Sequence, residues 1–243
     1  MKKWEFSGEI KVVFGITLKR IKAVSACEKL GLEAGELGGW IEKEENLYGD
    51  AWVSGNARVY GNAQVYGDAQ VYGDAWVSGN ARVSGDARVY GNARVSGDAR
   101  VSGDARVSGD ARVYGDAQVY GNARVSGDAR VYGDAQVYGN AQVYGNARVY
   151  GDAQVYGNAQ VYGNAWDKSP LYIQGSIWSL NMVSKTELRV GCQIHKLEKW
   201  KKHYKEIASE NDAEAVIEEY ELYLGVFFNL YSKYSKVAQD VEQ

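Results

Sequence analysis

From Gly49 to Tyr162 the chain repeats a six-residue unit, G-[DN]-A-x-V-[SY], nineteen times without an insertion. Each unit places Ala and Val two apart and then turns into a Gly-Asp or Gly-Asn pair. A helix needs apolar positions three and four apart, and a long strand needs a longer alternation, so the unit predicts a short strand followed by a corner. Pleat alternation sends Val inward and the flanking x and Ser/Tyr positions outward, with Ala facing in beside the corner. Gly accepts positive φ freely and Asn or Asp accepts it better than other residues, which suits the two corner positions.

Three six-residue sides close a triangular coil of 18 residues, so each residue stacks on its copy one coil away. At the ~4.8 Å strand spacing, nearly seven coils make a prism roughly 30 Å long. One coil cannot bury its valines; the stack can. A twentieth copy, "GNAWDK" from Gly163, keeps only its first half. The register also extends outward, with Ile41 and Leu47 in the Val position before the array, and Ile173 and Gly175 in the Val and Gly positions after it. The expected organisation is a β-rich cap over 1–38, a β-helix over 39–177 with regular units at 49–166, and a strand and two-helix module over 178–243.

The units resemble the hexapeptide repeats of left-handed parallel β-helices, and the left hand is implied by that resemblance. "GELGGWIEKEENLYGD" before the array, with "SPLYIQGS", "VGCQIH" and a following Trp after it, resemble hexapeptide-repeat proteins of bacteria, phages and prophages, a group without a settled activity. A phage setting would imply a host-facing role: trapping a nucleotide signal or blocking a host protein.

Sequence choice survives at the outward x positions, which sort into three columns. Trp52, Gln70, Arg88, Arg106, Arg124, Gln142 and Gln160 form the first. Arg58, Trp76, Arg94, Arg112, Arg130, Arg148 and Trp166 form the second, and Gln64, Arg82, Arg100, Gln118, Gln136 and Gln154 the third. The second is unusual: Arg94, Arg112, Arg130 and Arg148 follow one another, bracketed by Trp76 and Trp166, beside Tyr114, Tyr132 and Tyr150. Like charges ~5 Å apart repel, a cost that Gln avoids. Neutralisation by the preceding corner would explain the column if Arg followed Asp, but five of the ten array arginines follow Asp and five follow Asn. The alternative is a strip that takes an anionic small molecule such as a nucleotide, or an acidic host protein face. The twelve array tyrosines are also good strand residues, or a flat surface for self-association of the prism.

The flanks read as caps over open strand edges. Strands are expected in "WEFSGEIKVVFGITLKRIKAV" and a short helical piece in "SACEKLGL". Two or three strands lie between Ser169 and His195, then helices from His195 to about Ser209 and from about Asp212 to Val237, the second capped by Asn211 with Glu214 reaching back. Its stripe of Ile217, Tyr220, Leu224, Phe227, Phe228 and Tyr231 marks a packing face or an oligomer contact.

The formal net charge of −3 is spread evenly, so bulk capture of nucleic acid is not implied. Two cysteines, no signal-peptide pattern and no long apolar run point to a cytoplasmic protein without a membrane span. Left-handed β-helices include acyltransferases that use a histidine base and carbonic anhydrases that hold zinc with three histidines. Here the only histidines are His195 and His203, outside the array, so neither activity is expected and no cofactor is assigned. The corner ladder Asp50, Asp68, Asp86, Asp104 lacks the nonapeptide pattern of repeat calcium sites. Cys192 and His195, completed by Cys27 and His203, would be a zinc set on weak spacing alone. The reading is a non-catalytic solenoid that binds or spaces.

Overall fold

The computed structural model describes residues 3–163, 165–166, 168–211 and 214–239. It is a mainly β protein: a parallel β-solenoid of about seven turns, preceded by a β region and followed by two helices. Strand β1 (Trp4–Val13) pairs antiparallel with β2 (Ile16–Ala23) through a turn at Phe14 and Gly15, whose φ values of 52° and 78° suit a hairpin of primed type. Strand β2 pairs antiparallel with β3 (Leu37–Ile41), and β3 then pairs parallel with Arg58–Val59. From β4 (Trp52–Val53) to β22 (Gln160–Tyr162) each unit gives one strand of two or three residues.

Through the array each parallel pair joins residues 18 apart, the last pair, with Ala165–Trp166, joining residues 17 apart: Val95 lies beside Val77 and Val113, and Arg94 beside Trp76 and Arg112. The strands form three sheets, the faces of the prism, of seven, ten and six strands. Face two is the longest because the hairpin and β3 continue it. Ala57 through Val161 in the Ala and Val positions are at most 1% exposed, a dry column along the axis. Ile41 sits beside Val59 and Leu47 beside Val65, as the extended register predicts.

The corners show why the unit tolerates no substitute for Gly. Gly97 has φ +68°, and a Cβ there would lie 2.9 Å from the Gly115 backbone nitrogen one coil away. Side chains are excluded both by local conformation and by the close stacking of corner on corner. Beside the glycines, corner amides form a ladder of their own, Asn122 Nδ2 donating to Asn140 Oδ1 (3.3 Å) and Asn140 Nδ2 to Asn158 Oδ1 (3.1 Å).

The open ends are satisfied by particular side chains. At the N-terminal end, buried Asn46 donates through Nδ2 to the Gly61 and Ala63 carbonyls (3.1 and 2.8 Å). At the other end the Tyr162 N–H donates to the Val183 carbonyl (2.8 Å), and Asn181 Nδ2 donates to the Gln160 carbonyl (2.7 Å). Edge groups that would template another chain are thereby occupied.

After the array the parallel ladder closes with β23 (Ala165–Trp166). Ile173, expected over the valines, instead lies in β24 (Tyr172–Gln174), which pairs antiparallel with β25 (Ser179–Met182), and Gly175 is not left-handed. Strands β26 (Glu187–Val190) and β27 (Gln193–Lys196) complete a four-stranded sheet. His195, expected to start a helix, belongs to β27; the polar-apolar alternation of Gln193–Lys196 carries the strand to Leu197. Helix α1 (Leu197–Ser209) and helix α2 (Ile217–Gln239) follow. Asn211 closes α1, its Nδ2 donating to the Ile207 carbonyl (2.7 Å) and its Oδ1 accepting from Gln193 Nε2 (3.0 Å), while the expected cap runs through residues 212 and 213, which lie outside the described residues. The predicted stripe of α2 does pack inward, with Tyr220, Leu224 and Phe227 buried.

Candidate functional site

The outward column of face two is built by the backbone register alone. Parallel pairing aligns Trp40, Arg58, Trp76, Arg94, Arg112, Arg130 and Arg148 in one file. Arg94, Arg112 and Arg148 are exposed and Arg130 half-buried. Among the described residues no carboxylate comes within 4.0 Å of any of these four guanidinium groups. Within the described residues, coil-to-coil neutralisation is therefore not made by ion pairs.

Alongside, Tyr114, Tyr132 and Tyr150 stack as predicted, with ring centroids 4.9 and 5.2 Å apart and planes within 8° of parallel. The tyrosine file of face three makes a useful control. There Tyr120 and Tyr138 stack at 5.0 Å but donate their hydroxyls to Gln136 and Gln154 (3.3 and 3.2 Å). Face two offers arginines at the corresponding positions, and arginine has no acceptor atom. Among the described residues the hydroxyls of Tyr114, Tyr132 and Tyr150 make no hydrogen bond of that kind.

The two tryptophan brackets part company. Trp76 is in the file, with the Arg58 and Arg94 guanidinium carbons 4.9 and 4.8 Å from its ring centroid. Trp166 is not, which corrects the sequence expectation. It pairs with Val149, so it occupies the inward Val position, 6% exposed, while Ala165 takes the place beside Arg148. In "GNAWDK" the predicted phase would put the Asp167 carboxylate into the dry column, and burying an unpaired charge is costly. Moving the register by one residue puts an indole there instead.

The hairpin covers the N-terminal part of the file, a feature the repeat pattern did not contain. Phe14 at its tip packs edge-on against Trp76 (5.6 Å), and Lys11 Nζ lies 3.9 Å from the centre of the Trp40 ring. Burial, then Arg58 and Arg20, push the Lys11 amine down to about 8. Arg58 Nε is buried without a hydrogen-bond partner among the described residues. The alternation in β1, with its turn residues, was the available signal, but not where the tip would land.

On the first corner the same N-terminal region supplies counter-charge. Lys3 Nζ meets Asp50 (2.7 Å), and Lys29 Nζ meets Asp68 (2.8 Å) and Asp86 (3.8 Å). The aspartate ladder is thus partly neutralised by lysines. Trp52, expected among the exposed residues of face one, keeps its outward position but is only 6% exposed.

The C-terminal module holds a cavity of about 210 Å³, lined largely by Trp178, Trp200, Tyr204, Ile207, Tyr220 and Leu224. Sequence reading missed it, although the apolar stripe of α2 forms one wall. Cys192 lies at its edge, whereas Cys27 lies in the N-terminal region; His203 Nδ1 is 2.6 Å from Glu206. The four sulfur and imidazole groups do not converge, and no cluster of three potential metal ligands occurs among the described residues. Nor is any described helix long and apolar enough to cross a membrane.

The repeats have a recognisable kin. Residues 51–67, 63–79, 69–85, 87–103, 99–115, 105–121, 117–133, 123–139, 141–157 and 153–167 each match the YdcK Beta solenoid repeat. These windows are about one coil long and fall on the strands of the three faces, so the chain is a β-solenoid repeat protein. Comparison with curated proteins found no match.

Proposed function

We propose that the protein acts by binding and not by turnover, and that face two from Arg94 to Arg148 is its recognition surface for an anionic partner. The observation that carries this reading is the file of four arginines with no carboxylate within 4.0 Å among the described residues, on a frame that holds them one coil apart. Mutual repulsion is relieved when carboxylates or phosphates dock, since guanidinium pairs both in a bidentate manner. The parallel tyrosine rings beside the file add flat apolar surface and hydroxyls. They also favour, as a second reading, a nucleotide whose base stacks on a ring while its phosphates meet the arginines. The face carries Arg, Tyr and Ser but no histidine, which supports recognition over acid-base chemistry.

Titration of the purified chain with polyaspartate and, separately, with ATP tests both readings. Polyaspartate binding should weaken with salt and fall at least about tenfold in the double variant Arg112→Glu, Arg130→Glu, whose thermal midpoint stays that of the parent because both side chains point outward. Identical titration curves for parent and variant would remove the reading. ATP binding with the same dependence would select the nucleotide.

A further inference from the structure

Each of the four arginines from Arg94 to Arg148 is followed four residues later by an aspartate at the next corner: Arg94 by Asp98, Arg112 by Asp116, Arg130 by Asp134, Arg148 by Asp152. These aspartates are exposed and stand 18 residues apart, as the arginines do. None lies within 4.0 Å of a lysine or arginine among the described residues, unlike Asp50, Asp68 and Asp86 on the first corner. Asp98 Oδ1 accepts a hydrogen bond from Asn80 Nδ2 (3.0 Å). Face two therefore carries two unpaired ladders of opposite sign, equal length and identical pitch, with Ser96, Tyr114, Tyr132 and Tyr150 between them.

Resting on the proposed reading of this face, we infer that its acidic partner is a second copy of the same chain, docked face to face about a two-fold axis parallel to the prism. Such an axis exchanges left and right across the face and leaves the order of coils unchanged. The arginine ladder of one copy then lies over the aspartate ladder of the other, rung for rung, because both have the same pitch. An axis across the prism would set arginine on arginine, so charge alone selects the parallel arrangement. Residues between the ladders fall near the axis, bringing the tyrosine file against its own copy. The hairpin tip rests on Trp76, one coil before the ladder begins. On this hairpin Ile10, Val12 and Phe14, 67–76% exposed, put apolar surface at the same end of the joint in both copies. Four surface ion-pair rungs per ladder, with only Arg130 half-buried, give a reversible, salt-sensitive dimer.

The test is light scattering on the full chain at low salt with two charge-reversed variants. The parent should have the mass of two chains and fall to one chain in high salt. Arg112→Glu with Arg130→Glu faces aspartate with glutamate, and Asp116→Arg with Asp134→Arg faces arginine with arginine, so each alone should run as one chain. Mixed in equal amounts they should regain the mass of two chains, because every reversed rung meets its opposite in the heterodimer. A parent of one chain at every concentration, reversed variants that still pair with themselves, or a mixture that stays at one chain would each overturn the inference. A monomeric parent that still binds polyaspartate through Arg112 and Arg130 would leave the proposed function standing while this inference fails.

Discussion

One file of outward residues on face two has two halves that behave differently. From Trp40 to Trp76 the hairpin lies over it, with Lys11 above Trp40, Phe14 against Trp76 and the Arg58 Nε buried without a hydrogen-bond partner among the described residues. From Arg94 to Arg148 the same register continues and no carboxylate among the described residues comes within 4.0 Å of its guanidinium groups. The repeat makes both halves; a segment outside the repeat separates a structural half from an available one. Cover also reaches around to the first corner, where Lys3 and Lys29 sit on aspartates.

Truncating a side chain in each half should break that symmetry most sharply. Trp76→Ala removes the ring shared by Phe14, Arg58 and Arg94 and should cost on the order of 2 kcal/mol in urea unfolding. Arg130→Ala, two coils after Arg94, should fall within about 0.5 kcal/mol of the parent. Equal losses at the two positions would mean that the hairpin contributes nothing.

A smaller effect follows from Lys11, whose folded-state value near 8 lies below the usual 10.5. The charged amine is disfavoured in the folded chain, so its penalty is full below pH 8 and fades as pH rises from there to 10.5. Lys11→Met should stabilise by about 1 kcal/mol at pH 7, discounted for partial exposure, and by nothing above about pH 10.5. Thermal melts across that range check both the sign and the window.

The smallest expected change is at the corner. Lys29 is held above its usual value by its hydrogen bond to Asp68, so the contact stabilises the fold below the unfolded lysine value and is lost as pH rises through the raised one. Lys29→Ala should lower the melting midpoint slightly at neutral pH and low salt, and the difference should vanish at high salt. A difference that persists there would show that packing, not charge, joins this segment to the corner.

The sites where sequence reading failed share a physical cause. Val95, Gly97 and Arg112 each have a neighbour of the same kind 18 residues away, so one periodicity places them all. Trp166 and Ile173 sit where the copies run out. Trp166 slipped by one residue because the repeat phase would have buried a carboxylate, and Ile173, after Pro170, found Leu180 as an antiparallel partner instead of a valine. Of the candidate site, the four arginines and three tyrosines were legible and one tryptophan was not.

By itself the sequence determined the coil: its 18-residue pitch, its dry interior of Ala and Val, its glycine corners and the files of side chains on each face. These follow because a residue stacked on its own copy needs no information from elsewhere in the chain. Tertiary structure decided what covers those files, namely the hairpin on Trp76, the lysines on the aspartate corner and the indole that plugs the last coil. Contacts between unlike segments depend on where a bent hairpin or a shifted strand comes to rest, and no period in the sequence encodes that.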